Sequence, residues 1–247
     1  MSEADVDQES RTVRWRGATG PFEVIVDPGV FVPSSTSRVL AEGLRVEPGE
    51  TVVDAGCGSG VLALVAARMG AGKVIGTDFS QAAVDCSAAN ARRLGLDHIA
   101  EFRQGHLLEP LGGDLADVVI ADVSGIPDAV AQVTGWFPDG KGGGRTGAEL
   151  PVEMLSRVAE YMAPGGRVYL PTGTIQDDEA ILAAARLVFG ASMEPVAKKE
   201  FPLPDVVSTS AQVLELVDQG TIHVVRRGSR WAWELTIWCC TLDGGKN

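Results

Sequence analysis

The fold of this 247-residue chain is indicated by the stretch Val52-Val53-Asp54-Ala55-Gly56-Cys57-Gly58-Ser59-Gly60. An apolar strand predicted at Thr51–Ala55 leads into three closely spaced glycines, and a helix predicted at Gly60–Met69 follows at once. Glycine lets the backbone approach a ligand closely, and the start of a helix leaves N–H groups without intrahelical partners. The stretch therefore predicts a ligand-binding turn between a strand and a helix.

The same alternation of strand and helix continues along the chain. Further strands are predicted at Lys73–Thr77, Ala100–Gln104, Asp117–Ala121 and Arg167–Leu170, and further helices at Ser80–Leu94, Glu149–Met162 and Gln176–Val188. Apolar strands that alternate with helices are typical of a parallel sheet covered on both faces. We therefore expect an α/β fold with a Rossmann-like doubly wound sheet.

The two ends of the chain are expected to differ from this pattern. Ile222–Arg226 and Trp231–Cys240 flank a turn and predict a C-terminal antiparallel hairpin, which brings the sheet to seven strands. Residues 13–37 indicate short strands and loops. We expect one structural domain, in which residues 1–45 cover the ligand edge of a domain formed by residues 46–247.

Composition excludes several classes of protein. Apolar residues make up 45% of the chain, and 21 basic against 33 acidic residues give a net charge of −12. This charge disfavours general nucleic-acid binding and suits a basic or neutral partner. No apolar run approaches the ~18 residues of a membrane span, and the acidic start does not resemble a signal peptide. The four cysteines lack metal-ligand spacing, so we expect no metal and a cytoplasmic location.

The residues around the glycine turn indicate the ligand. Asp78 ends the next predicted strand, where a carboxylate accepts hydrogen bonds from the hydroxyls of an adenosine ribose. The dinucleotide pattern G-x-G-x-x-G requires glycine at position 61, which is Val61 here. Asp54 would repel a pyrophosphate but attract a sulfonium or an ammonium group. The pattern favours S-adenosylmethionine over a nicotinamide or flavin nucleotide.

On these residues the chain resembles the class I S-adenosylmethionine-dependent methyltransferases over roughly residues 30–240. Pro164-Gly165-Gly166 resembles the loop before the fifth strand of that family. Phe79 is expected to stack near the adenine, and Gly105-His106 stands where the family usually has an acidic residue. The resemblance implies that the cofactor is bound by Asp54, Gly56, Cys57, Gly58, Gly60, Asp78, Phe79, Gly105 and His106.

The segment Asp122–Pro127 resembles the N-P-P-Y-x-P signature of the release-factor glutamine methyltransferase-like subgroup, although the tetrapeptide itself is absent. Asp122 takes the place of the Asn, and Gly125 that of the Tyr. An ionised Asp cannot donate a hydrogen bond to a planar amide or nucleobase, so an amine or a hydroxyl is the better acceptor of the methyl group. Asp122 is the candidate catalytic residue, either as a base or as an orienting group; a purely structural carboxylate is the alternative.

Four further residues are candidates for binding the substrate: Phe31, Ser124, Trp136 and Arg145. Arg145 lies in the glycine-rich run Gly140–Gly147, which is expected to form a mobile loop over the substrate. The alternatives are a solvated cation for Arg145 and ordinary packing for the two aromatic residues. Gly135–Lys141 matches only the front of a P-loop, because Gly142 replaces the Ser or Thr, and is discounted.

The leading function from the sequence is a methyltransferase that acts on an amine or hydroxyl of a small molecule. The composition, rich in Ala, Gly and Val, is compatible with an enzyme of secondary metabolism. The alternatives are a protein or peptide N-methyltransferase, a non-catalytic S-adenosylmethionine-binding regulatory protein, and a nicotinamide oxidoreductase.

Overall fold

The computed structural model of the protein describes residues 9–137 and 142–244. The chain groups into two compact units, which are described separately. The first comprises Met1–Ile120 and Tyr161–Ala163, and the second comprises Ala121–Glu160 and Pro164–Asn247. Residues 138–141, which include part of the partial P-loop match and of the run Gly140–Gly147, lie outside the described residues.

The first unit is built on a parallel sheet. Its elements are β1 (Arg11–Trp15), β2 (Phe22–Val26), α1 (Ser35–Gly43), β3 (Thr51–Ala55), α2 (Val61–Met69), β4 (Lys73–Asp78), α3 (Gln81–Arg93), β5 (Ala100–Gln104) and β6 (Ala116–Ile120). The strands lie in the order β5-β4-β3-β6, and every neighbouring pair is parallel. This arrangement confirms the predicted α/β class.

The sheet forms because its strands are apolar on both faces. Val52 and Val53 of β3, and Val74 and Ile75 of β4, are all 0% exposed. Burial on both faces is characteristic of parallel strands covered by helices. The helices supply the cover, since α2 buries seven of its nine residues and α3 packs on β4 and β5.

A hairpin and a short helix precede this sheet. Strands β1 and β2 pair antiparallel and bury Trp15, as the predicted short strands require. The sequence analysis expected only strands and loops up to residue 37, whereas α1 begins at Ser35. The side chain of Ser34 accepts hydrogen bonds from the N–H groups of Thr36 and Ser37 at 3.1 and 3.3 Å, and Ser37 returns a bond. The serine-rich segment thus forms a capping box.

The second unit is dominated by antiparallel pairing. Its elements are α4 (Asp128–Thr134), α5 (Glu149–Arg157), β7 (Met162–Gly173), α6 (Asp178–Phe189), β8 (Met193–Pro202), α7 (Asp205–Thr209), α8 (Ala211–Asp218), β9 (Val225–Arg227) and β10 (Arg230–Thr241). Strand β10 pairs antiparallel with β7, β8 and β9. The predicted C-terminal hairpin is present as β9 and β10, with its first strand beginning three residues later than predicted.

Strand β8 was absent from the predicted set of seven strands. Its sequence reads MEPVAKKEFP, none of its residues is buried, and its pairing with β10 shifts register next to Trp238. Prolines, lysines and bulges are typical of edge strands, which lack the apolar alternation that sequence patterns detect. Within the described residues, no helix is long and apolar enough to cross a membrane.

Candidate functional site

The glycine turn after β3 has a backbone that only glycine adopts readily. Gly56, Gly58 and Gly60 have φ angles of +72°, +53° and +80°, in the left-handed region that other residues rarely enter. A Cβ added to Gly60 would lie 2.7 Å from the Cβ of Ser87. The turn therefore needs glycine both for its conformation and for its close approach to α3.

The end of β4 holds this turn. The N–H groups of Gly56 and Cys57 donate to the carbonyl oxygen of Thr77 at 2.8 and 2.9 Å. Oδ2 of Asp78 accepts a hydrogen bond from the N–H of Gly58 at 2.9 Å, and Oδ1 accepts one from the N–H of Ser80 at 2.9 Å. Each carboxylate oxygen retains capacity for a further donor. The structure thus brings the predicted ribose-binding acid directly to the glycine turn.

An exposed aromatic ring stands beside this acid. Phe79 is 79% exposed, which is unusual for a large apolar side chain. Its carbonyl oxygen accepts a hydrogen bond from the side-chain amide of Gln104 at 3.2 Å, which links it to the end of β5. Phe79 thus presents an exposed ring next to Asp78 in sequence, and its predicted stacking near the adenine stays a prediction.

Asp54 lies behind the turn and is 1% exposed. Its Oδ2 accepts a hydrogen bond from the N–H of Ala63 at 2.9 Å, in the first turn of α2. A carboxylate at this place satisfies an N–H group at the helix start and is favoured by the helix dipole. Asp54 thus stabilises the start of α2 in addition to its predicted attraction for a cationic ligand.

Cys57 lies in the turn with a buried, uncharged thiol. Burial raises the pKa of its thiol well above the ordinary value of 9.0, and the charges of Asp54 and Asp78 raise it further. Its Sγ lies 3.7 Å from the hydroxyl oxygen of Ser87. Because the thiolate is the reactive form, this thiol is unsuited to act as a nucleophile.

Two more predicted cofactor residues follow β5. The N–H of Gly105 donates to the carbonyl oxygen of Asp78 at 2.9 Å, and a Cβ at Gly105 would lie 2.5 Å from Cγ of Pro110. His106 comes next and is partly buried, and its carbonyl oxygen accepts the N–H of Glu109 at 3.0 Å. The structure brings Gly105 to Asp78, while the predicted contact between His106 and adenine stays a prediction.

Phe31 lies against the glycine turn. The Cβ position at Gly58 is 3.7 Å from the carbonyl oxygen of Phe31 and 3.8 Å from its Cβ. The sequence analysis assigned Phe31 to the substrate, and the structure additionally places it in contact distance of the turn expected to bind the cofactor.

This group of residues fits S-adenosylmethionine. Gly56 at the start of the turn is exposed, Asp78 supplies acceptors for ribose hydroxyls, and Phe79 offers an apolar face. Two buried or partly buried carboxylates, Asp54 and Asp78, give the turn a negative field. That field favours a ligand bearing a sulfonium and an ammonium group over a pyrophosphate.

The candidate substrate residues Asp122, Ser124, Trp136 and Arg145 belong to the second unit. Asp122 and Ser124 are both partly buried, in a segment that the glycine-rich run holds. The N–H of Gly143 donates to the carbonyl oxygen of Ile126 at 2.6 Å, and the N–H of Gly142 donates to Oδ1 of Asp128 at 2.8 Å. The described part of the run is thus fixed by hydrogen bonds, and its covering of a substrate stays a prediction.

The glycines of this run are required by backbone contact. A Cβ on Gly142 would overlap the carbonyl oxygen of Ile126, and one on Gly143 would overlap that of Ser124. A Cβ on Gly147 would lie 2.5 Å from the carbonyl oxygen of Gly125. The run therefore constrains the path of residues 124–127, which are part of the segment Asp122–Pro127 that resembles the N-P-P-Y-x-P signature.

Gly125, at the tyrosine position of that signature, lies close to the side-chain amide of Gln176. A Cβ there would lie 3.2 Å from Oε1 and 3.3 Å from Nε2 of Gln176, which is itself only 6% exposed. The space that an aromatic side chain would need beside Gly125 is thus taken by a buried amide. This contact gives a physical reason for the loss of the tyrosine.

Trp136 and Arg145 lie toward the surface. Trp136 is 37% exposed and follows α4. Arg145 is exposed and lines a pocket of about 310 Å³ together with residues of α4 and α8, including Asp128 and Glu215. Within the described residues Arg145 therefore faces acidic and amide side chains, and its predicted contact with a substrate carboxylate stays a prediction.

Sequence reasoning missed two polar residues next to these elements, Gln176 and Asn90. Asn90 lies inside α3 and is 1% exposed. A buried Asn inside a helix is unusual, because Asn is a weak helix former that normally competes for backbone hydrogen bonds. The presence of Asn90 inside the helix predicted at Ser80–Leu94 could therefore have marked it as a candidate.

Comparison with known proteins relates the chain to methyltransferases. The family model described as ribosomal protein L11 methyltransferase (PrmA) matches residues 38–127. A ribosomal protein L11 methyltransferase from Pelotomaculum thermopropionicum is 34% identical over 69% of this chain and 49% of its own length. A release factor glutamine methyltransferase from Moorella thermoacetica is 34% identical over 66% of this chain and 61% of its own length.

Similarity to solved structures supports the fold. The tRNA m1G37 methyltransferase of M. jannaschii aligns with 97% of this chain and 56% of its own chain, with a TM-score of 0.57 and 14% sequence identity. At that identity the likeness concerns the fold alone. The chain also spans only about half to three fifths of the two curated relatives, 49% and 61% of their lengths.

These comparisons correct one expectation. The sequence analysis expected a small molecule as substrate and partner, whereas both relatives are named for protein substrates, ribosomal protein L11 and release factors. The small-molecule interpretation was wrong because it rested on the composition and on the altered tetrapeptide. Neither feature specifies the size of a substrate.

Proposed function

The chain belongs to the class I S-adenosylmethionine-dependent methyltransferases, and we propose that it transfers a methyl group to an amine nitrogen of a protein. The observation that carries the proposal is that the residues similar to known methyltransferases are also those that form the candidate site. The residues matched by the family model, 38–127, include the glycine turn, the acid bonded to it and the segment that begins at Asp122.

The cofactor in this proposal is S-adenosylmethionine, which supplies a methyl group already activated on a sulfonium. Asp78 accepts hydrogen bonds from the ribose hydroxyls while it keeps its bond to Gly58. Phe79 covers one face of the adenine, and the N–H groups of the turn approach the methionine portion. Asp54, buried behind the turn, contributes negative charge that favours the cationic groups of the ligand.

Asp122 is proposed to prepare the substrate. An amine is protonated near neutral pH and cannot attack until a lone pair is free. An ionised carboxylate accepts the proton and so frees the lone pair of the nitrogen for attack on the methyl group. Positioning contributes ~7–11 kcal/mol to the barrier reduction in favourable cases, and a placed base contributes about 10²–10⁴ in rate.

The charge of the chain favours a basic protein as the substrate. The net charge is −12, so the long-range field attracts positively charged partners and repels acidic ones. An acidic enzyme and a lysine- or arginine-rich substrate would associate faster at low salt than at high salt. A cytoplasmic location is part of the proposal, and it is supported by four cysteines that are all free and buried.

The test is the transfer of radiolabelled methyl groups from S-adenosylmethionine into an extract of the source cells, separated by size. Label in a protein band, with intact-mass analysis showing additions of one methyl group, supports the proposal. The Asp122→Asn enzyme serves as the matched control, because it should bind the cofactor but label the same band far less. Cofactor binding without label in any protein would support the non-catalytic alternative and contradict the proposal.

A further inference from the structure

Asn90 of α3 connects two segments that are far apart in sequence. Its Oδ1 accepts a hydrogen bond from the N–H of Ile25 at 2.8 Å, and its Nδ2 donates to the carbonyl oxygen of Ile25 at 2.7 Å. The same Nδ2 also donates to the carbonyl oxygen of Ser59 at 3.0 Å. One side-chain amide thus bonds both to β2 and to the middle of the glycine turn.

The amide of Asn90 has no freedom to turn over. The N–H of Ile25 and the carbonyl oxygen of Ser59 bond to Oδ1 and Nδ2 of Asn90, and the carbonyl oxygen of Ile25 accepts from Nδ2 and also from Sγ of Cys86 at 3.2 Å. Only one orientation of a carboxamide satisfies all three groups. Since Asn90 is 1% exposed, water cannot replace a lost bond without a rearrangement.

Asn90 and Asp78 hold the glycine turn at adjacent positions. Asp78 accepts the N–H of Gly58, and Asn90 donates to the carbonyl oxygen of the next residue, Ser59. The chain that continues from Ile25 reaches Phe31, whose backbone lies 3.7 Å from the Cβ position of Gly58. The N-terminal segment and the turn therefore meet twice, once at the amide of Asn90 and once at Phe31.

We infer that Asn90 is a positioning residue for the cofactor: its amide couples the β1–β2 hairpin to the glycine turn, so that cofactor affinity depends on the anchoring of the hairpin. The inference rests on the proposed use of the turn for S-adenosylmethionine. This role differs from a general contribution to stability. The two carbonyl groups that Asn90 bonds belong to different segments, Ile25 to the hairpin and Ser59 to the glycine turn.

The substitution Asn90→Asp separates these two effects through pH. An ionised Asp keeps an acceptor for the N–H of Ile25 but loses both donors and faces two carbonyl oxygens. Burial disfavours the charged form of a carboxyl group and favours protonation at mildly acidic pH. The protonated side chain regains one donor. Asn90→Ala lacks any titrating group and is the matched control for this pH response.

The titratable groups near position 90 do not obscure the pH response of cofactor affinity in Asn90→Asp. Sγ of Cys86 lies 3.8 Å from Nδ2 of Asn90, and burial raises the pKa of that thiol, so it stays neutral. Asp27 lies next to Cys86 in turn. The wild-type chain carries both groups and therefore reports any pH response that does not come from position 90.

The experiment measures S-adenosylmethionine affinity by calorimetry at pH 8.5 and pH 5.5 in four proteins: wild type, Asn90→Asp, Asn90→Ala and Val84→Ala. Val84 lies on the same helix and is 7% exposed, so its truncation lowers stability without removing a side-chain hydrogen bond. We expect Asn90→Asp to bind at least tenfold more weakly than wild type at pH 8.5 and to recover severalfold at pH 5.5 relative to wild type. Asn90→Ala should be weak at both pH values, and Val84→Ala should bind like wild type.

Hydrogen exchange of the unliganded proteins tests the coupling without the cofactor. We expect Asn90→Asp to speed amide exchange in residues 22–31 and also in residues 56–62, relative to Val84→Ala. Faster exchange in the hairpin alone, together with unchanged affinity, would overturn the inference. A wild-type protein that fails to bind S-adenosylmethionine would refute the proposed function instead, and exchange would still decide whether Asn90 couples the two segments.

Discussion

Oδ2 of Asp78 accepts a hydrogen bond from the N–H of Gly58 at 2.9 Å. The acid proposed to bind the ribose is therefore also a structural partner of the turn that is proposed to bind the rest of the cofactor. Its position is fixed before any ligand arrives, so less conformational entropy is lost on binding. A change at Asp78 should consequently affect the cofactor twice, through the lost acceptor and through a looser turn.

Asp78→Ala is expected to weaken S-adenosylmethionine binding by about 10–100-fold. Hydrogen bonds to charged groups contribute about 1.5–3 kcal/mol each, and each 1.4 kcal/mol corresponds to a factor of ten. Calorimetric titration measures the change. The matched control is Asp85→Ala, an exposed carboxylate on α3 whose Oδ1 accepts only from Gln81 among the hydrogen bonds described. Equal affinity in Asp78→Ala and wild type would refute the ribose role.

Asp122→Asn is expected to lower kcat by about 10²–10⁴ and to leave the affinity for S-adenosylmethionine within twofold. The reason is that the amide is not a base and cannot take a proton from an ammonium group. The defect should shrink as pH approaches the pKa of a free amine, about 10.4 for lysine, where the substrate is already deprotonated. Initial rates from pH 7 to 10 measure it. Asp218→Asn, an exposed residue of α8, is the control.

If Asp122→Asn were fully active at pH 7, Asp122 would lose its place as the candidate catalytic residue. If it were instead uniformly slow at every pH, an orienting role would replace proton transfer.

Gly143→Ala is expected to destabilise the second unit and to slow turnover while cofactor affinity is kept. The added Cβ would overlap the carbonyl oxygen of Ser124 and lie 3.0 Å from Cα of Gly125, so the segment after Asp122 must shift. Overpacking of this kind costs about 1–3 kcal/mol. Urea unfolding and initial rates measure the two effects. Gly113→Ala adds a Cβ with no atom within 4 Å and should be nearly neutral; a similar loss in both variants would contradict the close-contact argument.

Asp114 is expected to support stability in a pH-dependent way. Its carboxylate bonds to Nζ of Lys73 at 2.9 Å and to Nη2 of Arg103 at 2.8 Å, and these two partners lower its pKa below the ordinary value of 3.8. A lowered pKa in the folded state means that the contribution is complete above pH 3.8 and is lost as pH falls through the folded-state value. Asp114→Asn should therefore be less stable than wild type at pH 7 but not at strongly acidic pH.

Urea midpoints at pH 7 and below pH 3 check this prediction, with a further series in 1 M salt. Screening should reduce the difference at pH 7, since the groups involved are partly exposed. A difference that persists unchanged at low pH would assign the effect to packing rather than to charge.

The sequence predicted the turn after β3 because every contributing signal is local. Each signal lies next to the strand or helix that it ends or begins: the glycines, the acid at the end of β4 and the N-cap at Ser80. The side chain of Ser80 accepts a hydrogen bond from the N–H of Ala83 at 3.4 Å, as an N-cap does. Sequence patterns report such local preferences well. The conformation of this turn could therefore be predicted from the sequence, and its binding of the cofactor stays a prediction.

The missed features depend on distant partners. Strand β8 forms because it pairs antiparallel with β10, although it contains prolines at positions 195 and 202. Gly125 lies close to the side chain of Gln176, which is far along the chain. Neither fact leaves a periodic signal in its own segment, since tertiary context overrides local propensity. The class of substrate was also predicted wrongly. The sequence of the segment Asp122–Pro127 does not by itself specify whether a protein or a small molecule binds there.

The two hydrogen bonds between Asn90 and Ile25 also limit how this protein can be divided. The family model begins at residue 38, which suggests a natural cut between a leader and a transferable module. A cut there would remove both hydrogen bonds between Asn90 and Ile25, and would leave the buried amide with its bond to the carbonyl oxygen of Ser59 but without an N–H donor for Oδ1. The N-terminal hairpin is thus not an exchangeable accessory, and recombination between relatives would succeed only when the hairpin and α3 are inherited together.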